Sequence, residues 1–306
     1  MAGITGKDVV LTNYAQALAL EAPKGRSLTQ DAFRRLTSNK AALVSIFIII
    51  FIVLFAFVGP YLVPWSYDKI DWAAFRKPPD FAKGHYFGTD GNGRDMLART
   101  MLGTQMSLTV AGVATLVSVI IGITYGSIAG YFGGRVDDVI SRVIDVLMAF
   151  PGILLAIALV AVLGPSLVNV VLALSVIGWV GYARLVRGQA LRAREFEFVQ
   201  AARALGAGSP RIVLRHVLPT AFPSVVVQAT LGMAGAIIAE ASLSFLGLGV
   251  QPPTPSWGTM LDAGRAHLFD APHLTLFPGG AIALLVLGFN FLGDGLRDRV
   301  DPKMQR

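Results

Sequence analysis

The chain alternates between long runs that carry no charge and short segments crowded with it. The runs are too uniformly apolar to be the buried stripe of an amphipathic helix, and they read as membrane spans. The first, Ala41 to Val58, has Ser45 as its single polar member and ends at Gly59-Pro60. Its 18 residues, at the rise of an α-helix, cover about 27 Å, the depth of a hydrocarbon core. No charge falls between Arg99 and Arg135, which predicts a second span from about Leu108 to Tyr131. The charge-free block Val146 to Ala183 is too long for one crossing, and Gly164-Pro165-Ser166 predicts a turn that divides it into antiparallel third and fourth spans. A fifth is predicted from about Ala221 to Ala239 after Pro219, and a sixth from about Leu274 to Leu292 before the charged end Asp294 to Arg306.

The expected fold is therefore an all-α membrane protein of six transmembrane helices. The polar residues 1–40 read as a retained tail, too long and too mixed in charge for the n-region of a cleaved signal. Residues 41–58 form the first helix, 59–107 an extracytoplasmic segment, 108–300 a core with five helices, and 301–306 a second tail. Within that core the stretch Ala241 to Met260, broken by Gly247, Gly249 and Gln251-Pro252-Pro253-Thr254-Pro255, cannot span and reads as an outer loop buried against protein.

Composition agrees: of 306 residues 54% are hydrophobic and 15% charged, with a mean hydropathy of +0.62, against about 25% charged in a soluble domain. Without cysteine the chain has no disulfide framework, thiol nucleophile, iron–sulfur cluster or thiolate zinc site. The net charge of +7 matters by its location. The tail before span one, the loops after spans two and four, and the C-terminus hold 19 Lys and Arg, and the opposite side holds 7, which places both termini in the cytoplasm. Five of the net seven charges, seven arginines less Glu195 and Glu197, lie in the loop between spans four and five. The basic balance thus reads as topology and contact with a lipid bilayer, and calls for no nucleic acid.

Gly122, Gly126, Gly130 and Gly134 recur at every fourth position of span two, a stripe that lets another helix approach closely. Glu240 is the one acid deep in a span, with Asp145 at the mouth of span three; Glu240 is a candidate pathway residue or an ordinary interfacial carboxylate. Catalytic motifs are missing. The single Gly-Lys pair, Gly6-Lys7, is followed by Asp8, so no phosphate-binding loop exists. Asp90-Gly91-Asn92-Gly93-Arg94-Asp95 fails as a calcium loop because Arg94 occupies a ligand position and Met101 stands where a bidentate Glu is needed. His85, His216, His267 and His273 form no His-Glu-x-x-His pair, and His267 and His273 read as solvated surface groups, so no metal site or cofactor is expected.

Residues 184–219, with seven arginines, are much longer than a bundle connection needs. A helix is predicted over Glu195 to Leu205, a stop at Gly206-Ala207-Gly208-Ser209-Pro210, and a second short helix running into a Leu218-Pro219 kink. Phe198, Ala202 and Leu205 share one face, suited to docking a cytoplasmic partner or to lying on lipid. Gln200-Ala201-Ala202, then Gly206 and Leu218-Pro219, resemble the "EAA" coupling motif of ABC importer permeases, with Gln200 for its Glu and His216 for its Ile. The stretches Phe87-Gly88-Thr89-Asp90, Gly130-Tyr131-Phe132-Gly133-Gly134, Ala241 to Gly249, Gln251 to Gly258 and Gly293 to Asp298 are similar to the C-type permease subunit of dipeptide and oligopeptide importers.

That resemblance implies a type I importer permease fold with a cytoplasmic coupling helix. It implies a B-type permease partner, two cytoplasmic ATPase subunits that bind ATP and Mg, and an extracytoplasmic substrate-binding protein. Glu195, Gln200, Ala201, Ala202, Gly206, Leu218 and Pro219 would be the ATPase-coupling residues, the three small ones fitting a tight groove, and the chain itself would catalyse nothing. Nickel and glutathione importers share the architecture. The rival from another class, an ion-gradient-driven transporter, predicts intramembrane acids and paired broken helices in two repeats.

Overall fold

The computed structural model describes residues 40–300, and for Arg299 and Val300 the backbone alone. The expectations for residues 1–39 and 301–306 therefore lie outside the described residues. Within them all the regular structure is helical apart from isolated bridges in the segment between the first two helices.

Helix α1, Lys40–Phe57, hides only Ala42, Ser45, Ile52 and Ala56. Ile48 and Ile49 pack against the same core, and Leu43, Val44, Phe47, Ile50, Phe51 and Leu54 stay exposed, as a span at the edge of a bundle requires. Helix α2, Met96–Phe132, begins 12 residues before the predicted Leu108. The polar residues of this extension are absorbed by the helix itself: Asp95 caps the Ala98 amide, and Thr100 and Thr104 donate to the Met96 and Thr100 carbonyls at 2.7 and 2.8 Å. Its 37 residues give a rod of about 55 Å, long enough to cross the bilayer and project beyond it.

The third span differs most from expectation. Helix α3, Gly134–Met148, carries Arg135, Asp137, Asp138, Arg142 and Asp145 and buries only Ile144, so it is amphipathic. It breaks at Ala149-Phe150-Pro151, and α4, Gly152–Leu163, leaves at 85° to it. Twelve residues reach about 18 Å, short of a full crossing. Proline at 151 denies the helix a donor and clashes with the turn before it, which accounts for the break there.

The predicted Gly164-Pro165-Ser166 turn follows α4. Ser166 caps α5, Leu167–Ala193, by accepting from the Asn169 amide at 3.1 Å, and the Asn169 side chain donates to the Leu163 and Gly164 carbonyls. After the coupling segment, α8, Leu218–Phe245, runs past the predicted Ala239 and takes up Ala241 to Phe245. The expected outer loop is thus shorter and contains helix α9, Trp257–Gly264, closed by a Ser256–Thr259 capping box. Helix α10, His273–Val300, completes the bundle. Among the described residues, five helical stretches are long and apolar enough to cross a membrane, and the bent pair α3–α4 makes a sixth if counted as one span.

Two contacts hold these rods together. Ile52, Ala111, Ala234, Ile237, Trp257, Leu285 and Phe289 form a core shared by α1, α2, α8, α9 and α10, with Trp257 fully buried and its indole donating to the Thr100 carbonyl at 3.2 Å. The second contact is α2 against α5. A Cβ at Gly126 would lie 2.5 Å from the Ala183 carbonyl oxygen, one at Gly130 2.5 Å from that of Arg187, and one at Gly122 would collide with Tyr182. The helices meet backbone to backbone over two turns, where dispersion has to replace the missing hydrophobic drive. Gly134 is outside this face: its Cβ would meet nothing, and its φ of +52° belongs to the turn that starts α3.

Gly126→Leu should destabilise the bundle by at least about 1–3 kcal/mol, the usual penalty for overpacking, read as a lower Tm in detergent. Gly112→Leu, also on α2 but facing open space, should leave Tm unchanged.

Candidate coupling and pathway sites

At the arginine-rich end of the bundle, the segment after α5 folds into α6, Glu197–Ala204, and α7, Ser209–Ile212. The predicted helix from Glu195 is shorter by two residues at its start, because the chain turns at Arg194 to Phe196. Val199 points inward and joins Tyr131, Ala190, Ala193, Ile212 and Val217 in a small core, so the element is anchored on the ends of α2 and α5. The Arg203 guanidinium lies 5.6 Å from the Tyr131 ring centroid. Gln200 donates to the Glu195 carbonyl at 3.2 Å.

What remains outside includes an apolar row among the exposed Glu197, Gln200 and Arg203. Phe198, Ala201 and Leu205, spaced three and four apart, are all exposed, Leu205 to 89%, with the small Ala201 as a notch between two large side chains. Ala202 is half-buried beneath them.

Gly206 has a reason of its own to be glycine. Its φ is +81°, and it closes α6 with a Schellman pair, the Gly206 amide donating to the Arg203 carbonyl and the Ala207 amide to that of Ala202, both at 3.0 Å. A Cβ there would meet nothing. Its smallness therefore follows from the backbone without any groove.

The predicted Leu218-Pro219 kink is absent. Val213–Val217 forms a π-turn that leads directly into α8, and its wider ladder accommodates the donor that Pro219 lacks.

Two of the seven arginines assigned to this surface are committed elsewhere. Arg187 Nη2 donates to Asp137 Oδ2 at 2.7 Å and Arg184 Nη2 to Asp145 Oδ1 at 3.1 Å, tying α5 to α3. The signal available in the sequence was the acidic face of α3 (Asp137, Asp138, Asp145).

Between α2, α4, α5 and α8 lies a cavity of about 290 Å³, lined by small and neutral residues that include Thr115, Ser118, Gly152, Gln228 and Ala236. Glu240 does not reach it. The carboxylate is almost fully buried between α2 and α8, accepting from Ser107 at 2.6 Å and from Ser244 at 2.7 Å, a satisfied structural pair of bonds. A second cavity of about 390 Å³, lined by Ile123, Val186, Leu214, Leu218, Pro219, Ala221, Phe222 and Val225, lies toward the coupling element.

At the opposite end, residues 59–95 pack onto the start of α2. His85 is buried between Asp95 Oδ2 at 2.9 Å and Asp71 Oδ2 at 3.4 Å, with Trp65 stacked on its ring. The Ala73 amide, opposed by burial and assisted by His85, holds the Asp71 carboxyl below its usual range. Asp90 accepts from the amides of Asn92 and Arg94 and from Arg94 Nε, so the calcium-like loop uses its carboxylate on its own chain. His273, expected on the surface, is buried with Nε2 3.2 Å from the Thr89 carbonyl, while His267 lies against Arg76 and Asp270. No three His, Asp or Glu side chains among the described residues are arranged to hold a metal ion.

Comparison with known proteins places this architecture. Residues 122–306 match the model for "Binding-protein-dependent transport system inner membrane component", and residues 27–79 match that for "N-terminal TM domain of oligopeptide transport permease C". The oligopeptide transport system permease protein OppC of Haemophilus influenzae is 43% identical over 92% of this chain and 90% of its own. The dipeptide transport system permease protein DppC of Alkalihalophilus pseudofirmus is 45% identical over 90% of each. Among solved structures, a chain of the MetNI methionine ABC transporter in its inward-facing conformations superposes with a TM-score of 0.55 at 20% identity, covering 67% of this chain and 98% of that one, a likeness of fold. The chain belongs to the family of inner-membrane components of binding-protein-dependent transport systems.

Proposed function

We propose that the chain is one half of the translocation pathway of an ATP-driven importer of dipeptides or oligopeptides, with ATP hydrolysis performed by partner subunits. The observation that carries this reading is the coupling segment, anchored inward by Val199 and presenting Phe198, Ala201 and Leu205 as exposed residues on its outer side. Family membership and the names of its relatives supply the substrate class.

In this reading the bent pair α3–α4 counts as one crossing, giving six, with both termini and the coupling segment in the cytoplasm and residues 59–95 outside. The fold is that of a type I importer permease. The partners are a B-type permease, two ATPase subunits carrying ATP and Mg, and a substrate-binding protein on the outer face. Helix α6, with Gln200, Ala201 and Ala202 and the flanking Glu195 and Leu205, engages an ATPase groove, while Gly206 sets the turn that presents it. Leu218 and Pro219 join the element to α8, so that a push on α6 is delivered to two spans at once. The small neutral lining of the inner cavity suits peptides of varied side chain, and nickel or glutathione import by the same architecture is the alternative substrate reading.

Leu205→Asp should reduce substrate uptake and substrate-stimulated ATP hydrolysis by the assembled importer about tenfold or more, the effect of placing a buried charge in an interface. The Tm of the isolated chain should not change, because Leu205 touches none of it. Unchanged uptake would remove the coupling role. Gly206→Ala should lower Tm by about 1 kcal/mol equivalent through its left-handed backbone.

The ion-gradient alternative is separated by Glu240→Gln. Here the residue is structural, so uptake at matched expression should persist, whereas abolished uptake together with a lost response to a proton gradient would favour the rival. Purified chain alone should release no phosphate from ATP.

A further inference from the structure

We propose that the open groove between α2, α5 and the start of α8 binds one anionic phospholipid, an acyl chain lying along the groove and the headgroup phosphate held by Arg211 and Arg215. The proposal goes beyond the function given above and takes from it only the side of the membrane, the cytoplasmic leaflet.

The groove is the cavity of about 390 Å³ beside the coupling element. Its floor is Val186 of α5 with Ala221 and Val225 of α8, all buried, and its rim is Leu214 and Phe222, exposed to 64% and 62%. The hollow is thus open along the flank of the bundle. Ile123 of α2 lines it nine residues before that helix ends at Phe132, so the groove reaches about 14 Å from the helix end, to the depth of hydrocarbon. No side chain in the lining offers water a partner, and an apolar hollow of this kind does not hold ordered water. A run of methylene groups matches it in polarity.

At the head of the groove the chemistry changes. Arg211 of α7 and Arg215 of the π-turn each stand three residues before a lining residue, Leu214 and Leu218, and so lie one turn nearer the charged end of the bundle on the same side. Both are exposed, and neither makes an ion pair or hydrogen bond among the described residues. Arg184, Arg187 and Arg194, by contrast, are held by Asp145, Asp137 and Glu195. No Asp or Glu occurs anywhere from Phe198 to Ala239, so the segment brings no anion of its own to this pair.

Two guanidinium groups four residues apart are neighbours on a helical surface and can grip one phosphate through several charge-assisted bonds. A helix of another subunit would cover the floor and leave both charges unmet. A phospholipid supplies the anion and the apolar tail together, as expected of a basic pocket between spans at the cytoplasmic face. The wide π-turn Val213–Val217 falls where the two requirements meet, and such turns gather at functional sites.

The chain has no cysteine, so in an importer assembled from cysteine-free partners a single thiol can carry a fluorophore without background. The complete importer is placed in phosphatidylcholine nanodiscs, and the label is quenched by brominated phosphatidylglycerol or brominated phosphatidylcholine. Both leaflets are alike in a nanodisc, so the result does not depend on the orientation or the transported substrate. With the label at Phe222→Cys, phosphatidylglycerol should be preferred about tenfold or more, roughly fivefold being expected for each arginine beside an anionic headgroup. With the label at Ile50→Cys, on the exposed middle of α1, the preference should stay within about twofold of none. Arg211→Gln with Arg215→Gln should bring the Phe222→Cys value down to that of Ile50→Cys, and excess glycerol 3-phosphate should not displace the lipid.

A preference within about twofold at Phe222→Cys, or one that survives the double substitution, would overturn the site. So would a Phe222→Cys label quenched by neither lipid while Ile50→Cys is quenched by both, which would assign the groove to a protein partner. Displacement by glycerol 3-phosphate would overturn it too, by assigning the two arginines to a soluble phosphate.

Discussion

The close approach of α2 and α5 is the constraint on which the remaining structure depends. A membrane helix gains nothing from hiding apolar side chains among lipid tails, so two spans stay together through contact area and backbone proximity. Gly122, Gly126 and Gly130 supply that proximity, each with a backbone or Cβ atom of α5 where its own side chain would be. With α5 fixed in this way, its far end is a firm base for the coupling segment. The Arg187–Asp137 and Arg184–Asp145 pairs then fasten the amphipathic α3 to the same base.

Function follows from what is fixed and what is free. Val199, Ile212 and Val217 anchor the segment on the bundle, while Phe198, Ala201 and Leu205 are exposed, the face that the proposed function gives to an ATPase partner. Helices α5 and α8 enter and leave this segment, so both are joined to it directly.

Much of this was legible in the sequence because lipid imposes length and neutrality on every span. Ala41–Val58, the Gly164-Pro165-Ser166 turn, the glycine stripe and the coupling segment all follow from that rule. The bent third span did not, because counting uncharged residues from Val146 ignored both Pro151 and the amphipathic rhythm of the charged residues before it. The early start of α2 was missed because the charge-free stretch after Arg99 was read only for the length that a bilayer needs, whereas the helix runs beyond it with Thr100 and Thr104 bonded to its own carbonyls. Gly206 was read for its size when its backbone angle decides its identity. Glu240 drew attention as an isolated acid, and only the fold brings Ser107, more than a hundred residues away in the chain, to its carboxylate.

The most direct test of the account is a photocrosslinking residue placed at Ala201 in the assembled importer, on the exposed face of α6. The account predicts a cross-link to an ATPase subunit, altered in yield when ATP is bound. Cross-links confined to lipid or to another permease subunit, with none to an ATPase subunit in an actively transporting preparation, would contradict it.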